Sequence, residues 1–546
     1  MKNERLAAID IGTNSIRCIV VEASSNGSYR VLDDEKDTVR LGEGIASSGA
    51  ISDAAIKRAE QAAERMARLV KGLGVKGVEA VATSAVRSAS NGPQLVHRLE
   101  SILEVPIRVI SGEEEAELAT QSALRNFDMQ GQRYGVMDVG GGSVELTTAQ
   151  GQVVEEHYSL ELGAVVMTER FLKGDPVKQT EMEKLRSHIR NLLKKRFGSN
   201  RPLLPSMVGS GGTITAIAQM VLLYRREELP STHGVTLLRS EIVHILAMLQ
   251  RKGLSERKSV PGLSPDRADI IIAGVAVVDT MMEFFGSNSL LVNARGIREG
   301  GILQALQRHG LSVYAPSSRS WRDSVLDFGR NCQIEEAHAL QVSWIALSIF
   351  DDVAKPCGLK KRDRVILETA AILHDAGAWI NYESHHKHSY HLIRHANLYG
   401  LSPRERELAA QVARYHRKAL PKRKHESFQK LSQKEQILVS RLGGILRLAD
   451  GLDRRRCSAI RKISCAVQGE VARLAISGSD DLAVEIFGGG AKKELFERAF
   501  GLQVIFAAHS EAETSTNANC TGWYGQIFNI PVHTELLSNA VKTIGY

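Results

Sequence analysis

Asp10-Ile11-Gly12-Thr13-Asn14-Ser15 closes an apolar run, Leu6 to Ile9, and opens onto another, Ile16 to Val21. The arrangement returns at Asp138-Val139-Gly140-Gly141-Gly142-Ser143, between Tyr134–Met137 and Val144–Thr148. Each copy reads as a strand ending in aspartate, a glycine-bearing hairpin and a second strand. Glycines allow a sharp turn and a close approach of backbone to ligand. The freed N–H groups, with the hydroxyls of Thr13, Ser15 and Ser143, then suit phosphate oxygens. One such loop is weak evidence. A repeated one predicts two similar half-domains clasping a phosphorylated substrate.

At 546 residues the chain exceeds one hydrophobic core, so about two to four domains are expected. Its apolar (43%) and charged (24%) fractions are those of a soluble protein. No apolar run is long enough for a membrane span, and Met1-Lys2-Asn3-Glu4-Arg5 leads straight into a strand, so no signal peptide is expected. Six scattered cysteines without a CxxC pair read as reduced thiols, hence a cytoplasmic protein. The net charge of +8 includes clusters at Lys194–Arg196, Lys360–Arg362, Lys422–Lys424 and Arg454–Arg456. Singly these are solvated helix faces; together they suit a long polyanion. With aromatics at 5% and none interleaved, a nucleic-acid stacking platform is not expected.

Residues 5 to about 50 read as hairpins with turns at Asn26-Gly27 and Gly42-Glu43-Gly44. Ser52 is placed to cap a helix running to Lys71, followed by a strand at Val78–Ala82, a helix at Gln94–Leu103 and a strand at Pro106–Ile110. This alternation is that of a layered α/β domain. A further glycine turn, Gly209-Ser210-Gly211-Gly212-Thr213, leads into a helix at Ile214–Leu223. The polar, proline-bearing Tyr314–Ser320 marks a boundary. The expected domains are therefore two lobes, 1–128 and 129–312, a helical domain at 321–457, and a small α+β domain at 458–546 with strands at Val471–Ile476, Leu482–Ile486 and Leu502–Ala507.

Hydrolysis of a phosphoanhydride needs phosphates held, their charge neutralised and a water aimed in line. The loops supply the cradle. Asp10, Asp138 and Glu145 are hard oxygen ligands suited to Mg²⁺. Strand parity puts Glu145 on the same face as Ser143. Ser111-Gly112-Glu113-Glu114-Glu115-Ala116 opens a helix with three acids, for which N-terminal capping is the default reading, so the segment alone identifies no base.

Asp10–Ser15, Thr83-Ser-Ala-Val-Arg87, Ile110-Ser-Gly-Glu-Glu-Glu-Ala116, Asp138–Glu145, Gly209–Thr213 and Arg295-Gly-Ile-Arg-Glu-Gly300 together resemble the exopolyphosphatase/guanosine pentaphosphate phosphohydrolase (Ppx/GppA) family, in order and across residues 5 to about 310. The resemblance implies two ribonuclease-H-like lobes of the actin/Hsp70/sugar-kinase superfold with the site between them. It implies Glu115 as the water-activating base and Arg87 as a contact to substrate phosphate. Phosphate binding is expected at Gly12, Thr13, Asn14, Ser15, Gly140, Gly141, Gly142, Ser143, Gly211 and Thr213. No catalytic role is carried onto Arg298, and Glu299 reads equally as structural.

Histidines concentrate in the helical domain: His374, His385, His386, His388, His391, His395 and His416, with His338 before them. The order His338, His374-Asp375, Asp450 resembles the HD metal-dependent phosphohydrolase superfamily, and imidazoles with carboxylates suit divalent ions. These four are candidates for a second metal site; the alternative is a degenerate HD-like domain used for gripping substrate or for dimerisation. The expected function is an Mg²⁺-dependent exopolyphosphatase acting on inorganic polyphosphate, as a cytoplasmic homodimer. The alternatives are a guanosine pentaphosphate 5′-phosphohydrolase, a kinase of the same superfold, and a phosphate-ligand sensor without turnover. The Glu-Glu-Glu-Ala segment argues against the kinase, because it resembles hydrolases.

Overall fold

The computed structural model describes residues 3–25, 27–127, 129, 131, 133–198, 201–311, 320–478 and 481–510. Asn26, the expected boundary from Tyr314 to Arg319, Cys520 and the rest of the chain after Ser510 lie outside the described residues. Two compact units are present: one runs to Val325 and includes His395–Glu407, and the other comprises Leu326–Arg394 and Leu408 onward.

The first unit contains two sheets of like topology. Strands β1 (Glu4–Ile11), β2 (Ile16–Ala23), β3 (Tyr29–Asp37), β4 (Gly77–Ala82) and β5 (Ile107–Val109) order as β3-β2-β1-β4-β5. Strands β6 (Arg133–Val139), β7 (Val144–Gln150), β8 (Val153–Leu160), β9 (Ser206–Ser210), β10 (Thr236–Leu238) and β11 (Ser289–Val292) order as β10-β11-β9-β6-β7-β8. In both, an antiparallel meander of three strands continues through its first strand into two parallel strands. The repeated hairpin of the sequence is thus the β1–β2 turn of one sheet and the β6–β7 turn of the other.

Each central strand is apolar on both faces because each sheet is covered on both sides. Ala7, Ile9 and Ile11 pack with the helix Asp53–Gly72, which buries Ala55, Ala59, Ala62 and Met66 and is capped by the Ser52 hydroxyl. The alternate residues Leu6 and Ala8 pack against Ile302, Leu303 and Leu306 of the helix Gly296–Arg308. The second sheet receives the helix Gly112–Asn126, whose Ala123 and Leu124 meet Tyr134, Val136 and Ala149. The helix following β5 therefore covers the second sheet, and the helix following β11 covers the first. They cross where Gly300 faces the Leu118 carbonyl; a Cβ there would stand 2.4 Å from that oxygen.

Glu299, beside this crossing, is a hub. It accepts hydrogen bonds from Tyr29, Ser122 (2.8 Å) and Asn126, and pairs with Arg295 at 2.7 Å. Burial alone would raise its pKa, but Arg295 and these donors hold it below the usual carboxylate value.

The second unit is built on the helices Glu336–Val353, Lys361–Leu373 and Gln433–Leu452, followed by β12 (Ile460–Gln468), β13 (Val471–Gly478) and β14 (Gln503–Ser510) in the order β12-β13-β14. The strand expected at Leu482–Ile486 is instead the start of the helix Ala483–Lys492. Its buried positions, Leu482, Glu485, Gly488 and Gly489, follow a helical period. Packing overrides the β-branched Val484 and Ile486: Gly488 lies against Gly451 of the long helix, and Glu485 is paired with Arg455 at 2.8 Å. Among the described residues no helix is long and apolar enough to cross a membrane.

Candidate active site

The two hairpin loops meet. The Gly12 amide donates to the Ser15 carbonyl at 3.1 Å, and the Gly140 amide donates to the Ser143 carbonyl at 3.1 Å, so both turns close alike. Thr13 of the first loop lies against Gly141 and Gly142 of the second. A Cβ on Gly142 would stand 2.4 Å from the Ser84 hydroxyl, so only glycine lets the loops approach this closely. The carbonyls of Gly140, Gly141 and Gly142 accept from the amides of Ala164, Val165 and Gly163, which turns them away from the loop's inner side.

Between the loops lies a cleft of about 110 Å³, lined by Asp10, Gly12–Ser15, Ser84, Glu115, Asp138, Gly140–Ser143, Gly211, Gly212 and Thr215. The helices beginning at Ala164, Gly212 and Gly296 all start at its wall. Helix N-termini bring unpaired N–H groups and positive dipole ends, which favour anions. Gly211 makes its turn with φ +97 and has the Val139 carbonyl 2.5 Å from where a Cβ would sit. Thr213 is directed elsewhere: it is 1% exposed and packs on Gly274, while Thr215 lines the cleft.

The three glutamates after Ser111 divide their work. Glu114 is the capping residue: it accepts from the Ser111 amide at 2.8 Å, while the Ser111 hydroxyl accepts from the Glu114 amide. Glu113 is exposed. Glu115, 4% exposed, lines the cleft, with Arg87 3.5 Å from its carboxylate. Arg87 is oriented by the Ile110 carbonyl, to which it donates at 2.6 Å.

The two hairpins differ in what faces the loop aspartate. Across the first ladder Asp10 stands opposite Arg17; across the second Asp138 stands opposite Glu145. Directly opposed residues share a face at about 5 Å, and like charges there repel. Glu145 is buried at 1% exposure and accepts from Ser159 at 3.0 Å, while the Ser210 hydroxyl donates to Asp138. Asp10 Oδ1 and Glu145 Oε2 are buried without a hydrogen-bond partner among the described residues.

Burial drives all four carboxyls upward, and their mutual repulsion adds to this for Glu115, Asp10 and Glu145. Asp10 is pushed up to about 6, its burial outweighing Arg17 and Arg298. Glu145 is pushed up to about 8 by burial and by Asp138. Glu115 is raised well above the usual range by burial and then by Glu145, Asp10 and Asp138, with Arg87 opposing. Asp138 is raised by burial, against Ser210 and Arg17. Orphaned oxygens and opposed acids fit a divalent cation bound by oxygen ligands.

Four arginines line the cleft: Arg17, Arg267, Arg295, which is paired with Glu299, and Arg298. Arg298 pairs with Asp34; Arg17 and Arg267 form no ion pair among the described residues. Burial and the nearby Arg17 lower Arg267 to about 10, which leaves it charged at neutral pH. The sequence motifs do not single out Arg17 or Arg267. Arg17 lies two residues past Ser15 on the outgoing strand, so parity is a signal that could find it. Arg267 follows Pro265-Asp266 in a short 3₁₀ turn that carries no local signal.

A model of the Ppx/GppA phosphatase family matches residues 20–309, more than half of the chain. The chain belongs to that family. A model of Ppx/GppA phosphatase domain III matches residues 322–485. Among solved structures, an exopolyphosphatase from Cytophaga hutchinsonii is 25% identical with a TM-score of 0.53, the match covering 56% of this chain and 98% of that one. An exopolyphosphatase-like protein is 26% identical with a TM-score of 0.53, covering 57% and 99%. The Ppx/GppA family member of Aquifex aeolicus is 26% identical with a TM-score of 0.49, covering 56% and 99%. Those Ppx/GppA relatives span little more than half of this chain.

In the domain III region, His338, His374, Asp375 and Asp450 do come together. His338 Nε2 is 3.8 Å and His374 Nε2 4.0 Å from Asp450 Oδ1, and His374 Nε2 is 3.6 Å from Asp375 Oδ1. Two of the basic-cluster arginines are already engaged nearby: Arg456 pairs with Asp375 and Glu335, and Arg455 with Glu485.

Proposed function

We propose that this chain is an exopolyphosphatase, hydrolysing the terminal phosphoanhydride of inorganic polyphosphate and releasing orthophosphate. The observation that carries the reading is the convergence of Glu115 with both glycine loops on one cleft. The free loop amides and three helix N-termini suit successive phosphates, and Arg17, Arg267 and Arg298 suit their charge. Glu115 accepts a proton from water, and the Arg87 guanidinium favours the ionised form that can do so. The water oxygen attacks the terminal phosphorus in line; its bond to the bridging oxygen breaks, and a chain shorter by one phosphate leaves.

Mg²⁺ held by Asp138 and Glu145, with Asp10, would supply positive charge to the transferring phosphoryl group. The same reading takes the lobes as ribonuclease-H-like, of the actin/Hsp70/sugar-kinase type, and the helical unit as HD-like. Its preference for polyphosphate over guanosine pentaphosphate rests on the additional domain III region and the exposed basic clusters.

Glu115→Gln tests the assignment. Binding of long-chain polyphosphate should persist while turnover falls about 10²–10⁴-fold. Phosphate release from wild type should be faster with polyphosphate than with guanosine pentaphosphate; an unaffected rate in the variant removes Glu115 as the base, and the reverse preference removes polyphosphate as the substrate.

A further inference from the structure

One row of side chains crosses four adjacent strands of the second sheet. Ser210 of β9 stands beside Asp138 of β6, Asp138 opposite Glu145 of β7, and Glu145 opposite Ser159 of β8, all on one face. The two acids of the row are thus flanked by two serines. Each serine donates to its own neighbour: Ser210 to Asp138 Oδ1, and Ser159 to Glu145 Oε1 at 3.0 Å. Neither serine lines the cleft.

The first sheet, of like topology, shows that the fold does not require this. Its corresponding row runs Val81, Asp10, Arg17, Lys36, so valine and lysine stand where the second sheet has serine. Of the two rows, only the one with two opposed carboxylates carries the hydroxyls. Glu145 Oε2, unlike Oε1, is buried without a hydrogen-bond partner among the described residues. Ser159 therefore sorts the two oxygens of Glu145: one is held from the edge strand, and the other is left open to a cation.

Ser159 is exposed on that edge strand, whereas Glu145 is buried. The helix Gly112–Asn126 begins directly over it: a Cβ on Gly112 would stand 2.3 Å from Ser159 Cβ and 2.4 Å from its Oγ. That helix carries Glu115 in its first turn. Ser159 thus touches the carboxylate of one functional residue and the start of the helix that presents another. Ser143 of the phosphate loop is the other side chain that hydrogen-bonds Glu145. Ser159, being outside the cleft, can be altered without disturbing the phosphate cradle. A hydroxyl that merely satisfies a buried acid is the plain alternative, and it would affect stability without affecting metal affinity.

We propose that Ser159 is a positioning residue of the phosphatase site, fixing Glu145 so that Oε2 alone is presented, beside Asp138, to a hard divalent cation. Outer partners that orient a ligating carboxylate are worth about 10–100-fold in metal affinity. The inference rests on the reading of Asp138 and Glu145 as ligands for Mg²⁺.

Isothermal titration calorimetry of the chelator-stripped full chain with Mg²⁺ tests it, the heat lost in Glu145→Gln marking the site. Ser159→Ala, folded by circular dichroism, should bind Mg²⁺ at that site about 10–100-fold more weakly than wild type. Ser159→Cys, whose thiol donates only weakly, should fall between the two. Excess Mg²⁺ should return phosphate release by Ser159→Ala toward the wild-type rate, because what is lost is metal affinity and not the base. Wild-type affinity in both variants, with any loss confined to the melting curve, overturns the positioning role and leaves the metal reading standing. Equal titrations of wild type and Glu145→Gln remove the metal reading, and the proposal with it.

Discussion

Replacing Glu145 by Gln separates what the second hairpin does for stability from what it does for chemistry. Asp138 and Glu145 face each other across the β6–β7 ladder in a buried setting. Two carboxylates at about 5 Å with an effective dielectric of about 20 repel by about 3 kcal/mol. The displacement of Glu145 from 4.5 to about 8 sets an upper bound of about 5 kcal/mol. Because its folded pKa is raised, the group costs nothing below about pH 4.5 and costs progressively more as pH rises through about 8. Metal-free Glu145→Gln should therefore be more stable than wild type at pH 8 by about 3 kcal/mol, roughly 5 °C in melting temperature. At pH 4.5 the two should coincide. The Ser159 hydroxyl can still donate to the amide oxygen, so the fold is preserved. Mg²⁺ should raise the wild-type melting temperature at pH 8 and leave the variant nearly unmoved, while phosphate release from polyphosphate is lost. Thermal melts across pH, with chelator or Mg²⁺, make the comparison. A metal-free variant no more stable than wild type at pH 8, or one stabilised by Mg²⁺ to the same degree, refutes the reasoning.

Two other perturbations address the phosphate cradle. Gly142→Ala places a methyl 2.4 Å from the Ser84 hydroxyl and 2.9 Å from that of Thr13, so the loops must part. Turnover on polyphosphate should drop by about 10²-fold or more with little change in the melting curve, and near-normal turnover would show that the loops need not abut. Arg267→Ala removes a charged donor that has no carboxylate partner among the described residues. KM for polyphosphate should rise about 10–100-fold, with a weaker salt dependence and unreduced stability; an unchanged KM would remove this residue from the substrate path.

Features set by near neighbours are legible in the sequence. The paired hairpins, their aspartates and the capped helix after Ser52 depend on adjacent residues, where turn chemistry and strand parity act. The separate duties of Glu114 and Glu115 are legible too in principle, because Ser111 as N-cap makes Glu114 the N3 residue and leaves Glu115 free. Other features depend on distant contacts. The β-branched run after Leu482 becomes a helix because Gly488 meets Gly451 and Glu485 meets Arg455. Arg267 reaches the cleft by lying over Gly212, which no local pattern announces. His385 and His416 join the other imidazoles only once the helices pack.

The two lobes have exchanged helices, and this sets how they can move. The segment leaving the first sheet lies on the second, and the segment leaving the second returns to the first. Lobes interlocked in this way are riveted where Gly300 sits on the Leu118 carbonyl, and an opening motion would pivot there. Gly301, next along, rests against Ala8 of β1, so the rivet is seated directly on the strand that ends at Asp10. A small rotation there is delivered to the loop aspartate through one rigid strand.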